Sequence, residues 1–155
     1  GYEQAINDHH LDPLSLIDTS IEITSSSKER FVKRLFAYLE EHRPTAIFFH
    51  NDATAYRLYR SFLDRGYRIP EDISIVGFDK LEIEFGLAPF DLTTVRQDFT
   101  RLGAETADAL LQLMESPSPA QPLHIRIPTS LHIGNTTAAP NLTGESTWIQ
   151  DKRQT

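Results

Sequence analysis

The residues with chemistry to offer stand at the ends of two apolar runs. Asn51 and Asp52 come just after Ala46-Ile47-Phe48-Phe49, and Asp79 closes Ile73-Ser74-Ile75-Val76-Gly77-Phe78. An amide side chain both donates and accepts, and a carboxylate accepts two hydroxyls firmly, so this set suits a neutral polyol such as a sugar. A plainer role competes at each position. Asp52 is expected to cap the helix that follows, and Asp79 could equally cap a short turn at residues 81–85. Histidines stand at 9, 10, 42, 50, 124 and 132 without the i, i+4 pairing to a carboxylate that a helical metal site shows, so no metal ligands are expected. His50, beside Asn51, reads as a loop or satisfied core histidine. Glu82 and Glu84 could be imagined as an acid and base pair, yet their alternation in a loop reads as a solvated face. There is no Gly-rich phosphate loop, nucleophile elbow or kinase signature, so neither catalytic residues nor a cofactor are expected.

The elements that must hold these residues follow from periodicity. Residues 1–10 have helical spacing at Tyr2, Ala5 and Ile6, and Ile21 and Ile23 alternate as a short strand would. Ser26 with Glu29 fits a capping box, and Phe31, Val32, Leu35, Phe36 and Leu39 predict an amphipathic helix over 27–42, stopped by Pro44. A strand over 46–49 leads to a helix over 53–65 on Ala55, Leu58, Tyr59, Phe62 and Leu63, with Gly66 as its stop. A second buried strand spans 73–78, another 92–95, and a helix over 99–115 carries Leu102, Ala107, Leu110, Leu111 and Met114. Residues 116–122 form a Ser/Pro-rich linker, and 123–127 and 130–133 alternate like strands broken by Pro128. Helices alternating with strands predict a parallel sheet with helices on its faces, in which ligands bind beyond the carboxyl ends of the strands. That rule gathers Asn51, Asp52 and Asp79 into one candidate site.

Composition narrows the function classes. The 155 residues carry 15 Lys and Arg against 22 Asp and Glu, a formal charge of −7, the wrong sign for a domain that grips a phosphate backbone itself. The absence of Cys excludes disulfides, thiolate metal sites and cysteine nucleophiles, and permits a reducing cytoplasm. No apolar run approaches the ~20 residues of a membrane span. Asn135-Thr136-Thr137 and Asn141-Leu142-Thr143 are formal glycosylation sequons. The opening Gly1-Tyr2-Glu3-Gln4, without an initiator Met, is expected to lie inside a longer chain.

One long stretch resembles a known family. Residues 66–79, GYRIPEDISIVGFD, preceded by Asn51-Asp52 and followed by Leu92-Thr93-Thr94-Val95-Arg96-Gln97-Asp98-Phe99 with Leu102-Gly103, are similar to the effector-binding domain of the lactose and galactose repressor family of bacterial transcription regulators. The likeness extends more loosely to Gly1-Tyr2 and to Ile127-Pro128-Thr129-Ser130-Leu131. It implies an α/β fold with a doubly wound parallel sheet, of the type I periplasmic-binding-protein kind. On that pattern residues 1–91 are the C-terminal lobe, 92–118 the crossover and one helix of the N-terminal lobe, 123–138 the return strands, and 139–155 a tail.

The resemblance also implies roles. Asn51 and Asp79 match cleft positions that hydrogen-bond the effector. Gln97 and Phe99 match crossover positions where both lobes meet it, with the Phe99 ring offered to a sugar face. The chain departs from the family at Arg57, where Gly is common, at Lys80, where a second Asp is frequent, near Ser25, where some sugar-binding members carry an aromatic residue, and over 89–92, which is one residue longer. The implied function is a small-molecule effector-binding and dimerisation region of a cytoplasmic repressor. Its effector is a sugar or sugar derivative, DNA is held only by an N-terminal headpiece outside this chain, and no membrane is involved. Residues 81–90 and the outer face of the helix over 53–65 are the expected dimer surfaces. A winged-helix headpiece on the same domain is equally compatible. An extracytoplasmic sugar receptor of a transporter is the alternative on the same fold, and an enzyme would need a catalytic pair that the sequence does not offer.

Overall fold

Spacing of apolar residues at i, i+4 and i+8 makes α2 (Ser25–His42) present one stripe, and Val32, Leu35, Phe36 and Leu39 on that stripe are buried. In the computed structural model, residues 1–11, 25–80, 90–115 and 123–140 are described. The strand around Ile21 and Ile23, the side chain of Ser26 expected to cap α2, the turn over 81–85 with Glu82 and Glu84, the linker over 116–122, the Asn141 sequon and the tail from 141 lie outside what is described.

After α2 come β1 (Ala46–Phe48), α3 (Asp52–Leu63), β2 (Ser74–Asp79), β3 (Thr93–Arg96), α4 (Phe99–Glu115) and β4 (Ser130–His132), with α1 (Tyr2–Asp8) ahead of them. The sheet order is β1-β2-β3-β4, the first three strands parallel and β4 antiparallel to β3. This is the α/β open sheet expected, with an antiparallel fourth strand. Residues 123–127, expected to be a strand, make no ladder.

Alternation along the strands sorts residues between two faces. Ile75 and Gly77 on one face of β2 and Ile73 just before it, with Leu92 and Thr94 beside them, are buried on the side of the sheet that α3 contacts. Phe36 of α2 and Phe62 of α3 meet at 4.9 Å between ring centroids, and Tyr67 packs on both at 5.6 and 5.5 Å. That burial pushes the Tyr67 hydroxyl up to about 12, so it stays neutral. Gly66 closes α3 as expected: its φ of 80° lets its own N–H reach the carbonyl of Leu63 and that of Tyr67 reach Phe62.

Two further clamps hold the sheet. Between α3 and β2, Arg68 grips Asp72 with Nε and Nη2 at 3.0 and 2.7 Å and with its backbone N–H at 2.8 Å. These bonds hold the Asp72 carboxyl below the usual carboxylate range. A group depressed in the folded state contributes stability above its unfolded value, about pH 3.9, and loses it as pH falls through the folded one. Asp72→Asn should therefore narrow the stability gap to wild type as pH drops below about 4, measured by urea unfolding between pH 5 and 2. A gap that stays constant over that range would refute the assignment.

The second clamp is the strap over 134–138. Thr136, fully buried, wedges between the beginnings of β2 and β3: its hydroxyl donates to Ile75 O at 2.7 Å and accepts Thr93 N–H at 2.9 Å, and its carbonyl accepts Ile75 N–H at 2.8 Å. Ser74 and Ala138 exchange two bonds, and the hydroxyls of Thr93 and Thr137 lie 2.9 Å apart. Backbone groups at the starts of two strands are thereby satisfied by a distant segment.

Candidate functional site

The parallel register brings the carboxyl ends of three strands level. Phe48 pairs with Val76, so Asn51 and Asp79 each lie three residues beyond a matched pair, and Asp79 pairs with Arg96, next to Gln97. His50, Asn51, Asp79, Gln97 and Phe99 therefore share one edge of the sheet.

Helix capping sets the first of them. Asn51, not Asp52, caps α3: its backbone is extended and its Oδ1 accepts the Thr54 N–H at 2.8 Å. Asn and Asp cap equally well, so residue type alone does not distinguish the two, and the start of the helix selects Asn51. Its Nδ2 hydrogens keep no partner among the described residues, which leaves the amide able to donate to a ligand. Asp52 is turned inward instead. Only 1% exposed, it takes the Thr94 hydroxyl at 2.6 Å over the backbone of Gly77, where any side chain would overlap the carboxylate. The expected cap is thus a buried bracket joining α3, β2 and β3.

Asp79 ends β2 with φ at 112°, and Lys80 follows at 54°, two consecutive non-glycine residues with left-handed backbone. The Asp79 carboxylate is held by Gln97 Nε2 at 2.6 Å. Both residues are half-buried. The structure thus joins two of the four expected ligand residues directly. Phe99 opens α4, whose first turn is capped by Asp98 Oδ1 on the Arg101 N–H at 2.9 Å. Its side chain is 49% exposed, and no hydrogen bond or ring contact ties Asn51 or Phe99 to the Asp79–Gln97 pair. His50 is exposed, in accord with the loop reading. Among the described residues no three His, Cys, Asp or Glu stand together as metal ligands would.

Nearby lies a cluster that residue types did not signal. Asp91 Oδ1 takes His132 Nε2 at 2.8 Å and Lys80 Nζ at 3.4 Å. His132 first, and Lys80 after it, hold the Asp91 carboxyl below its ordinary range. What the edge offers is a fixed acceptor pair, an amide donor and an exposed ring, a set for hydroxyl-bearing ligands without a nucleophile or metal.

Residues 1–137 match the family model described as a periplasmic binding protein-like domain. The chain belongs to that family. Its relatives include the transcriptional repressor PurR of Aliivibrio fischeri, 35% identical over 114 residues, which covers 72% of this chain and 33% of the repressor. The lactose operon repressor of Escherichia coli is 41% identical over 98 residues, 63% of this chain and 26% of the relative. Among solved structures, the dimeric Lac repressor with an 11-residue C-terminal deletion superposes with a TM-score of 0.71 at 30% identity, over 91% of this chain and 49% of that one. A regulator of the LacI family from Enterococcus faecium with bound ribose gives 0.68 at 26%, over 88% and 49%. The periplasmic-binding-protein-like chain thus spans a quarter to a third of these curated relatives and about half of those structures. Among the described residues no helix is long and apolar enough to cross a membrane.

Proposed function

We propose that this chain is an effector-binding region of a bacterial transcription repressor, taking a sugar or sugar derivative at the carboxyl edge of β1, β2 and β3. The observation that carries the reading is the Asp79–Gln97 pair at 2.6 Å, set at the end of parallel strands on the same sheet edge as the Asn51 amide and the open Phe99 ring. A carboxylate already held by one amide has its remaining lone pairs aimed for sugar hydroxyls, and an exposed ring stacks on the apolar face of a pyranose or furanose. The ribose-bound relative supports the ligand class, and the repressor relatives support the regulatory role over the transporter receptor and over an enzyme.

On this reading 1–91 belong to one lobe, 92–118 to the crossover and a helix of a second lobe, and 123–138 to the return. Helix α4 buries none of its residues and leaves Leu110, Leu111 and Met114 exposed, as fits a helix whose packing partner belongs to another lobe. The effector acts allosterically: it favours one arrangement of the lobes, and its affinity is linked reciprocally to that of an N-terminal headpiece for DNA. Dimerisation and a cytoplasmic location complete the proposal.

The test is a titration of the 15N-labelled chain with D-ribose, galactose, lactose, cellobiose, glucose 6-phosphate and hypoxanthine, read at the amides of Asn51, Asp79, Gln97 and Phe99. One sugar is expected to shift this set, and Asp79→Ala to weaken it by roughly 10- to 100-fold, the worth of a charge-assisted hydrogen bond, without loss of folding. Shifts that miss these residues for every compound, or a variant that binds normally, would sink the assignment.

A further inference from the structure

The left-handed turn at Asp79 and Lys80 needs something to hold it, because residues with a Cβ keep such backbone only where neighbours impose it. Gln97 holds the first residue through its carboxylate. The second reaches Asp91, whose Oδ1 is shared between Lys80 Nζ and His132 Nε2. Asp91 is itself the anchored member. Its N–H donates to Asn135 Oδ1 at 3.0 Å and its carbonyl accepts the Asn135 N–H at 2.7 Å, so the strap fixes its backbone on both sides. His132, on β4 opposite Thr94, steadies the carboxylate from the sheet edge.

We propose that Asp91 is a positioning residue for ligand binding, holding Lys80 and, through it, the Asp79–Gln97 pair in the orientation that meets the ligand. An isolated exposed ion pair contributes little, but here one carboxylate receives both Lys80, just after β2, and His132 of β4 while its own backbone is pinned. The bonds from His132 and Lys80 also hold the Asp91 carboxyl below its ordinary range.

The inference rests on Asp79 being a ligand residue, and the experiment separates the two. In the ligand-free 15N-labelled chain, Lys80→Met and Asp91→Ala are both expected to move the side-chain amide resonances of Gln97, which neither replaces nor adjoins. The double variant should move them no further than either single one, and Lys80→Arg should restore them. With D-ribose as the probe, both single variants should weaken binding by about 2- to 5-fold, the effect of losing one exposed charged contact. Gln97 amides that stay in place in Lys80→Met, or shifts in Asp91→Ala confined to His132, Asn135 and Thr136, would overturn the positioning role. Should Asp91→Ala fail to fold, Lys80→Met decides alone. Should D-ribose not bind the wild type, the choice of sugar falls while the Gln97 readout still decides this proposal.

Discussion

Gly134→Ala is expected to destabilise the chain by at least about 3 kcal/mol, because the added methyl has nowhere to go. A Cβ at 134 would overlap the carbonyl oxygen of Asp91 and stand 2.6 Å from its carbon and 2.9 Å from that of Leu92. These are backbone atoms, so no rotamer relieves the clash, and the strap must lift. Lifting it breaks the Asn135 bonds to Asp91 and draws Thr136 out from between β2 and β3, stranding buried N–H and C=O groups. For a chain of this length the cost corresponds to a fall in melting temperature of roughly 6–12 °C. Gly103→Ala is the internal control. Nothing lies within 4 Å of a Cβ at 103 in α4, so this change should gain about 0.5–1 kcal/mol through helix propensity. Calorimetry that finds Gly134→Ala and Gly103→Ala alike would show that the strap is not closed as described.

The second expectation concerns the bracket under the site. Gly77→Ala would push a methyl into the Asp52 carboxylate and to 2.7 Å from Leu92 Cδ2, at a cost of about 2–3 kcal/mol. Asp52→Ala should cost a similar 2–3 kcal/mol, since the buried Thr94 hydroxyl loses its acceptor and a gap opens above the sheet. The two changes touch the same few cubic ångströms, so they should not add. In the double variant the methyl at 77 occupies part of the space the carboxylate left, and the total should fall about 1–2 kcal/mol short of the sum. Strict additivity in urea unfolding would mean that the carboxylate does not lie over Gly77. The bracket also bears on function. It ties α3 to β3 across Gly77 of β2, two residues before Asp79, so its loss should loosen the site edge as well as the fold.

Sequence alone determined the alternation of helices with parallel strands, because apolar spacing of 3.6 or continuous short apolar runs already state which face each element buries. It also determined that Asn51 and Asp79 stand at strand ends, since the apolar runs before them leave little choice, whereas Gln97 and Phe99 entered only through the family resemblance. Tertiary structure decided the rest, wherever a role depends on a partner far along the chain. Asn51 and Asp52 have equal claims to the cap by type, and only Gly77 and Thr94, brought over by the sheet, make room and a donor for Asp52 inside. Thr136 reads as part of a surface sequon until the strap seats it between two strands more than 40 residues away. Residues 123–127 alternate as a strand should, yet alternation supplies no neighbour to pair with. The Lys80–Asp91–His132 clasp has no local signature at all, because charge contacts between exposed side chains depend on where the backbone has already been carried.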